Sequence, residues 1–190
     1  RQPGQGARAL FTRHRVTRHR VTHNRVTHNP FLTVAVHSRR CWCGGFEGVV
    51  NQGDVTLVGQ TIVYDIVELM GDRDIANYYA SSLDVSWLAN PLPYPARRAT
   101  IASADSDLPP GKIPSLKSRD AVAADWESAA LAWVARKNNT RLLILRAVSD
   151  IVNEREGEAY DNIEIFNERA KKIMRKLVAQ LPGWLNAVQL

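Results

Sequence analysis

The fold is decided by the stretch AVAADWESAALAWVARKNNTRLLILRAVSD, residues 121–150. Its first four residues form a short apolar run that predicts a strand, and residues 127–137 carry apolar side chains at helical spacing. Residues 141–148 form a continuous apolar run, which is typical of a strand buried on both faces of a sheet. Strand, helix and strand in this order predict an α/β fold with right-handed crossovers.

Two carboxylates follow these strands: Glu127 after the first and Asp150 after the second. Because ligands in α/β sheets bind beyond the carboxyl ends of the strands, we expect both side chains at one edge of the sheet. Each acid alone could instead cap a helix, Asp150 for a turn that starts near Val152. As a pair they predict a small-molecule site in which one acid holds the substrate and the other moves a proton.

The flanking sequence supplies further elements. Three segments have the apolar and β-branched density of strands, namely 31–36, 54–65 and 99–104. Gly59 is expected to mark a bulge in the second of them. Residues 41–48, CWCGGFEG, predict a turn-rich loop, and 105–118 predict a polar loop. Residues 163–181 have the spacing of a long amphipathic helix, which Pro182 is expected to end.

The net charge of +6 comes from one end of the chain. Residues 1–40 contain nine arginines and no acid, which leaves 16 basic against 19 acidic residues in the remainder. Within this basic end the repeat RHRVT–RHRVT–HNRVT predicts that residues 1–30 form a disordered low-complexity arm preceding a domain at 31–190. An arginine-rich nucleic-acid tail and a transit peptide are the alternatives. Nucleic acid is not the expected partner, because the remainder is mildly acidic.

Size and composition indicate a soluble, cytoplasmic protein. At 190 residues and 45% hydrophobic content, the chain can bury a sizeable core. No apolar run approaches the roughly 20 residues of a membrane span, so no membrane partner is expected. Cys41 and Cys43 have neither a usual disulfide spacing nor a second pair of ligands, which predicts reduced thiols and no metal. The glycines at 44, 45 and 48 do not form a nucleotide-binding fingerprint, and no cofactor is predicted.

The segments ADWESAALA and LLILRAVSD resemble the C-terminal signature of the purine nucleoside phosphorylase superfamily. The similarity is greatest to methylthioadenosine/S-adenosylhomocysteine (MTA/SAH) nucleosidases, whose pattern reads roughly V-[ED]-M-E-[AS]-A-A-[IL]-A and then R-[AG]-[IV]-S-D. GGFEGVVNQGDVTLVG and IASADSDL resemble two upstream segments of the same family. The resemblance covers about residues 44–181. It implies a three-layer nucleoside phosphorylase-like fold with a central mixed, mostly parallel sheet, incomplete at the N-terminus.

The resemblance also implies roles for the two acids. Glu127 would bind the ribose 2′- and 3′-hydroxyls, since a carboxylate accepts two hydrogen bonds at once from a vicinal diol. Asp150 would protonate N7 of the purine as the glycosidic bond lengthens. Five other residues of these motifs complete the expected substrate-binding set: Asp125, Trp126, Ser149, Arg146 and Leu108. Of these, Ser149 and Arg146 would orient Asp150, and Trp126 would lie beneath the ribose.

The sequence departs from the family pattern at three places. Asp107 stands where the family has the aromatic residue that stacks on the base, and Ala104 replaces a glycine. The glutamate that activates water belongs to the first third of the family fold, whereas residues 1–40 contain no carboxylate. We therefore expect that this acid comes from another chain or that the chain is catalytically incomplete.

Three functions follow from these observations. The first is hydrolytic cleavage of an MTA-like purine nucleoside, with a place in methionine salvage and a homo-oligomeric assembly implied by the resemblance. The second is phosphorolysis, for which Arg39 and Arg40 are the only arginines near the glycine-rich segment. The third is a non-catalytic remnant that binds nucleosides or a partner subunit.

Overall fold

The structure is a computed structural model that describes residues 32–35, 42–71 and 74–189. The predicted arm at 1–30, together with Arg39, Arg40 and Cys41, lies outside the described residues. Within them the elements are, in chain order, β1 (Leu32–Ala35), β2 (Trp42–Phe46), β3 (Val55–Val63), α1 (Ile75–Tyr79), β4 (Ser81–Ser82), β5 (Arg97–Ser103), α2 (Ile113–Lys117), β6 (Ala121–Asp125), α3 (Ser128–Lys137), β7 (Arg141–Val152) and α4 (Ile163–Asn186).

The seven strands of the described residues form one mixed sheet in the order β1-β7-β2-β6-β5-β3-β4. Strand β7 also pairs with β3, so that β2, β6, β5, β3 and β7 close into a ring. Four pairings are parallel (β1–β7, β2–β7, β3–β5 and β5–β6) and three are antiparallel. The predicted α/β fold with a mixed, mostly parallel sheet is confirmed.

Two buried apolar clusters hold the helices on the sheet. The larger includes Ala132 of α3 and Leu177 of α4, packed with residues of β3 and β7. The smaller includes Ile113 and Leu116 of α2, packed with Phe46 of β2 and with residues of β5 and β6. Residues 105–118 were expected to be a polar loop. Instead they contain α2, because its two buried side chains lie three residues apart on one face of a short helix.

Strand β7 is longer than its apolar run predicts. It continues past Val148 to Val152, because β2 pairs with residues 147–152. Asp150 therefore lies inside a strand, and the expectation that it follows the strand or caps a helix is wrong. The end of the strand was not predicted because Asp150 is charged and interrupts the apolar run, although its side chain is buried.

Strand β2 was expected to be a turn-rich loop and is instead the strand between β6 and β7. Its glycines explain why this strand was predicted as a loop and why it fits between its neighbours in the sheet. A Cβ on Gly45 would lie 2.6 Å from a methyl carbon of Val148, so only glycine fits there. Glycine is otherwise a signal for turns. The bulge predicted at Gly59 is confirmed by a register shift between Val58 and Gln60.

Helix α4 runs to Asn186 and includes Pro182, which was expected to end it. The last turn remains helical as its Trp184 is fully buried and its ring lies 6.2 Å from that of Tyr94. Packing of a large aromatic side chain outweighs the hydrogen bond that proline removes from the helix. No helix of the described residues has both the length and the apolar character to span a membrane.

Candidate active site

A cavity of about 730 Å³ opens where β2, β6 and β7 lie side by side. Its walls come from the strand ends, the loop after β5 and the segment that leads into α4. The described residues that line it are Cys43, Gly44, Tyr64, Asp107, Leu108, Ala124, Asp125, Trp126, Glu127, Asp150, Val152, Ala159, Tyr160, Asp161, Asn162, Ile163 and Phe166. Five of the seven predicted site residues, Leu108, Asp125, Trp126, Glu127 and Asp150, are among them.

The sheet brings the two acids together by register. Strand β2 is antiparallel to β6 and parallel to β7, so β6 and β7 run in opposite directions. The expectation that their carboxyl ends share an edge is therefore wrong. Instead Gly44 pairs with Ala124 on one side and with Asp150 on the other. Gly44, which has no side chain, therefore separates Asp150 from the end of β6, and Glu127 follows shortly after that end.

Asp150 is buried at the cavity wall and is held by Ser149. Ser149 Oγ hydrogen-bonds to Asp150 Oδ1 and lies 3.3 Å from the carbonyl oxygen of Cys43. A hydroxyl donates one hydrogen bond and accepts others. Ser149 can therefore donate to the Asp150 carboxylate, or accept from protonated Asp150 while donating to Cys43. This arrangement serves both protonation states of the acid.

Burial raises the pKa of Asp150, which favours the protonated form that a general acid needs. The Ser149 hydrogen bond and the positive charge of Arg169 act in the opposite direction, and Glu158 adds to the increase. Burial also raises the pKa of the neighbouring Cys43, which is a free, buried thiol. The wall around Asp150 is thus poor in water and favours neutral groups.

Arg146 lies behind the cavity wall, fully buried, and contacts the acids at the end of β6. Its Nε is 2.7 Å from Asp125 Oδ2, and its Nη2 is 3.5 Å from Glu127 Oε2. Asp125 also accepts hydrogen bonds from Ser103 Oγ at 2.6 Å and from the Ser128 amide at 3.1 Å. Through these contacts Asp125 and Arg146 hold the end of β6 and the Glu127 side chain in place. Arg146 was expected to support the orientation of Asp150, and the structure places it in contact with Asp125 and Glu127.

Glu127 occupies the N-cap position of α3, yet its side chain makes no capping hydrogen bond. Its side chain is 27% exposed and faces the cavity beside Arg146. Helix capping, the structural alternative to a binding role, is therefore not what Glu127 does. Trp126, the preceding residue, is 46% exposed at the same wall.

Sequence reasoning missed the wall that leads into α4, of which Tyr160 is the centre. Its hydroxyl donates to the carbonyl oxygen of Leu108 at 2.7 Å and so bridges two walls of the cavity. Burial and the nearby Asp150 raise the pKa of Tyr160 to about 12. The aromatic character of Tyr160 and Phe166, shortly after the S-D motif, was a signal that could have been read. Neither residue stands in an apolar run.

The described lining residues contain five carboxylates and no basic side chain. The carboxylates belong to Asp107, Asp125, Glu127, Asp150 and Asp161. Among the described residues no group of three or more His, Cys, Asp or Glu side chains is arranged to hold a metal ion. The cavity can accept hydrogen bonds and donate a proton from Asp150.

Several solved structures with a similar fold are nucleosidases. Arabidopsis thaliana 5′-methylthioadenosine nucleosidase is 21% identical with a TM-score of 0.59, over 82% of this chain and 59% of that one. A Borrelia burgdorferi putative MTA/SAH nucleosidase bound to adenine is 19% identical with a TM-score of 0.63, over 83% and 69%. Helicobacter pylori futalosine hydrolase is 16% identical with a TM-score of 0.62, over 82% and 67%.

These similarities define the class of fold: the chain has an α/β fold like that of solved MTA/SAH nucleosidases. It spans about 59% of the length of the Arabidopsis enzyme. No family model matches the chain, and the search of curated proteins finds no match either.

Proposed function

We propose that this protein cleaves the N-glycosidic bond of a purine nucleoside by hydrolysis, with an MTA- or SAH-like nucleoside as substrate. The observation that carries the proposal is that Glu127 and Asp150 line one cavity, in a fold whose solved examples include an adenine-bound nucleosidase. A cytoplasmic location, methionine salvage and a homo-oligomeric state stay predictions.

In the proposed reaction, protonated Asp150 donates its proton to N7 of the purine as the bond from ribose C1′ to the base breaks. The bonding electrons leave with the base, and the sugar becomes oxocarbenium-like. Water then adds to C1′ and loses a proton to the solvent, and Asp150 takes up a proton from the solvent in turn, so that free purine and ribose product form and the acid is restored. Glu127 accepts hydrogen bonds from the ribose hydroxyls, and its negative charge stabilises the positive charge that develops on the sugar.

The charge of the cavity supports hydrolysis over phosphorolysis. A phosphate co-substrate needs basic side chains or clustered backbone amides, whereas the described lining carries five carboxylates and no base. Apart from Asp150, which is protonated in the proposed reaction, and Asp125, which is paired with Arg146, these carboxylates repel an anionic nucleophile and tolerate neutral water.

A second candidate is a nucleoside-binding protein without turnover. It is favoured by the low sequence identity of 16–21% to the solved nucleosidases, because similarity at this level extends to the fold and not to the activity. Among the described acids of the cavity, Asp125 is held in an ion pair with Arg146. Under this reading the same cavity binds a purine nucleoside and releases it unchanged.

Adenine release from MTA, measured with and without inorganic phosphate, distinguishes these functions. We expect release that does not depend on phosphate. Release only with phosphate would indicate phosphorolysis, and saturable binding of MTA by calorimetry without release would indicate the binding protein. The absence of both MTA binding and adenine release would contradict the proposed function.

Glu127→Gln is the matched test of the sugar contact. The substitution keeps the shape of the side chain and removes its charge. We expect kcat/KM to fall roughly 10- to 100-fold, the size of a lost hydrogen bond to a charged group. The loss should be smaller for a 2′,3′-dideoxy analogue, and an equal loss for both nucleosides would show that Glu127 does not bind the hydroxyls.

A further inference from the structure

Glu158 and Arg169 lie near enough to Asp150 to act on its charge, outside the motifs that the sequence singled out. Arg169 Nη1, on α4, is 2.8 Å from Glu158 Oε2. The same carboxylate oxygen accepts a hydrogen bond at 3.2 Å from the amide of Ile151, the residue that follows Asp150. In return the Glu158 amide donates to the Ile151 carbonyl at 3.0 Å.

These bonds join three parts of the site. Residues 153–162 leave the end of β7 and return along it, and Gly157 forms a bridge with Val152. The hydrogen bonds between Glu158 and Ile151 hold this segment on β7 next to Asp150. The ion pair of Glu158 with Arg169 holds it on α4. The two residues that follow Glu158 are Ala159 and Tyr160, which line the cavity. The position of that wall therefore depends on the Glu158 contacts.

We propose that the Glu158–Arg169 pair is a positioning unit for the reaction, which sets the cavity wall at 159–162 and tunes proton donation by Asp150. The inference rests on the proposed function. Both residues act on the wall through others, Glu158 through the Ile151 backbone and Arg169 through Glu158, whereas their charges act on Asp150 directly. Neither is among the lining residues of the cavity.

The charges around Asp150 give the two residues opposite electrical effects. Arg169 on α4 favours the Asp150 carboxylate, and Glu158 disfavours it. Other described groups near Asp150 include the Ser149 hydroxyl on its own strand, the neutral Cys43 thiol on β2 and the neutral Tyr160 phenol, and Glu127 lines the same cavity. The ion pair therefore supplies opposed charges that substitutions can remove one at a time.

The test compares Arg169→Gln and Glu158→Gln in the full chain, with Arg175→Gln and Glu168→Gln as controls of the same charge change on exposed positions of α4. The alkaline limb of kcat/KM for MTA should move up in Arg169→Gln and down in Glu158→Gln, each by roughly 0.2 to 0.7 pH units, as expected of partly exposed charges. The controls should move the limb less. Shifts in the same direction, or no larger than in the controls, would overturn the proposal.

Glu158→Ala tests the wall separately, since it also removes the acceptor for the Ile151 amide. We expect KM to rise about 2- to 10-fold, the value of one hydrogen bond, whereas Glu158→Gln keeps an acceptor and should change KM less. An unchanged KM in Glu158→Ala would contradict the positioning of the wall.

A direct titration keeps this inference distinct from the proposed function. The carboxyl carbon of Asp150, assigned in the NMR spectrum with Asp150→Asn, can be followed against pH whether or not the chain turns over MTA. Opposite shifts of its midpoint in Arg169→Gln and Glu158→Gln support the positioning unit even without activity. An unmoved midpoint in both variants overturns it even if the wild type is active.

Discussion

At the scale of single residues, the site contains one buried acid, Asp150, and one partly exposed acid, Glu127. Asp150 is 5% exposed and bonded to Ser149, whereas the Glu127 side chain is 27% exposed beside Arg146. Burial favours the neutral form of the Asp150 carboxyl group. Two acids in one cavity are thus suited to different tasks, proton donation and binding of hydroxyl groups.

Asp150→Asn should separate stability from activity. Because the folded-state pKa of Asp150 is raised, the unfolded chain releases this proton at lower pH than the folded chain. The stability of the wild type therefore falls as pH rises from the unfolded value toward the folded one. We expect Asp150→Asn to be more stable than wild type at pH 8 and to lose this advantage near pH 3.

Thermal unfolding across that pH range measures the stability change. Turnover of MTA should fall by roughly 10²- to 10⁴-fold, the contribution of a general acid, with nucleoside binding retained. Ser149→Ala serves as a comparison that leaves the carboxyl group in place. Unchanged turnover in Asp150→Asn would reject it as the acid, and lower stability at pH 8 would contradict its raised pKa.

At the scale of elements, the site depends on strand β2, which has glycine at the position between the end of β6 and Asp150 of β7. Gly44 lies in register between Ala124 and Asp150, and Gly45 packs against Val148. A longer side chain at either position would enter the core or the cavity. The glycines that prevented this strand from being predicted leave free the space next to Val148, Asp150 and Val152 that a Cβ would enter.

The two glycines should respond differently to substitution. A Cβ at Gly45 would lie 2.6 Å from Val148 Cγ1 and 2.7 Å from Val50 Cγ2, so Gly45→Ala should destabilise the fold by roughly 1–3 kcal/mol. A Cβ at Gly44 would lie 3.1 Å from Val152 Cγ2 and 3.9 Å from Asp150 Oδ2. Gly44→Ala should therefore destabilise less and impair nucleoside binding more.

Urea denaturation and calorimetric binding of MTA measure these two effects. A substitution at Gly48, which has open space around its Cβ position but a φ of +73°, is a control for backbone strain. Equal effects of Gly44→Ala and Gly45→Ala on both measurements would contradict this account of β2.

At the scale of the whole molecule, the end of α4 ties a long connection to the core. Trp184 is fully buried, and beyond it the Gln189 amide donates to the Trp87 carbonyl at 2.8 Å. The Ala89 amide donates to the Ala187 carbonyl at 2.7 Å. The chain beyond Pro182 thereby fixes the segment between β4 and β5 on the sheet.

Trp184→Ala should therefore cost about 3–5 kcal/mol of the free energy of unfolding, as is usual for truncation of a buried tryptophan. Leu185→Ala, next to it and 45% exposed, is the control and should cost much less. Urea denaturation of both variants measures the difference. Equal costs would contradict the packing described for this end of the helix.

The sequence determined the class of fold and the two central acids, because apolar runs, helical spacing and the W-E and S-D motifs are local patterns. It predicted β3, β5, α3 and the bulge at Gly59 close to where they lie. Long strands with polar or glycine positions were missed in part, since neither type of residue contributes to an apolar run.

Only the tertiary structure decided how the acids meet. The opposite directions of β6 and β7, and the register that places Gly44 between Ala124 and Asp150, depend on pairing between segments distant in sequence. The same is true of the Asp125–Arg146 contact and of the Glu158–Arg169 pair. A sequence states which residues can form such bonds, but strand register and helix packing select the ones that form.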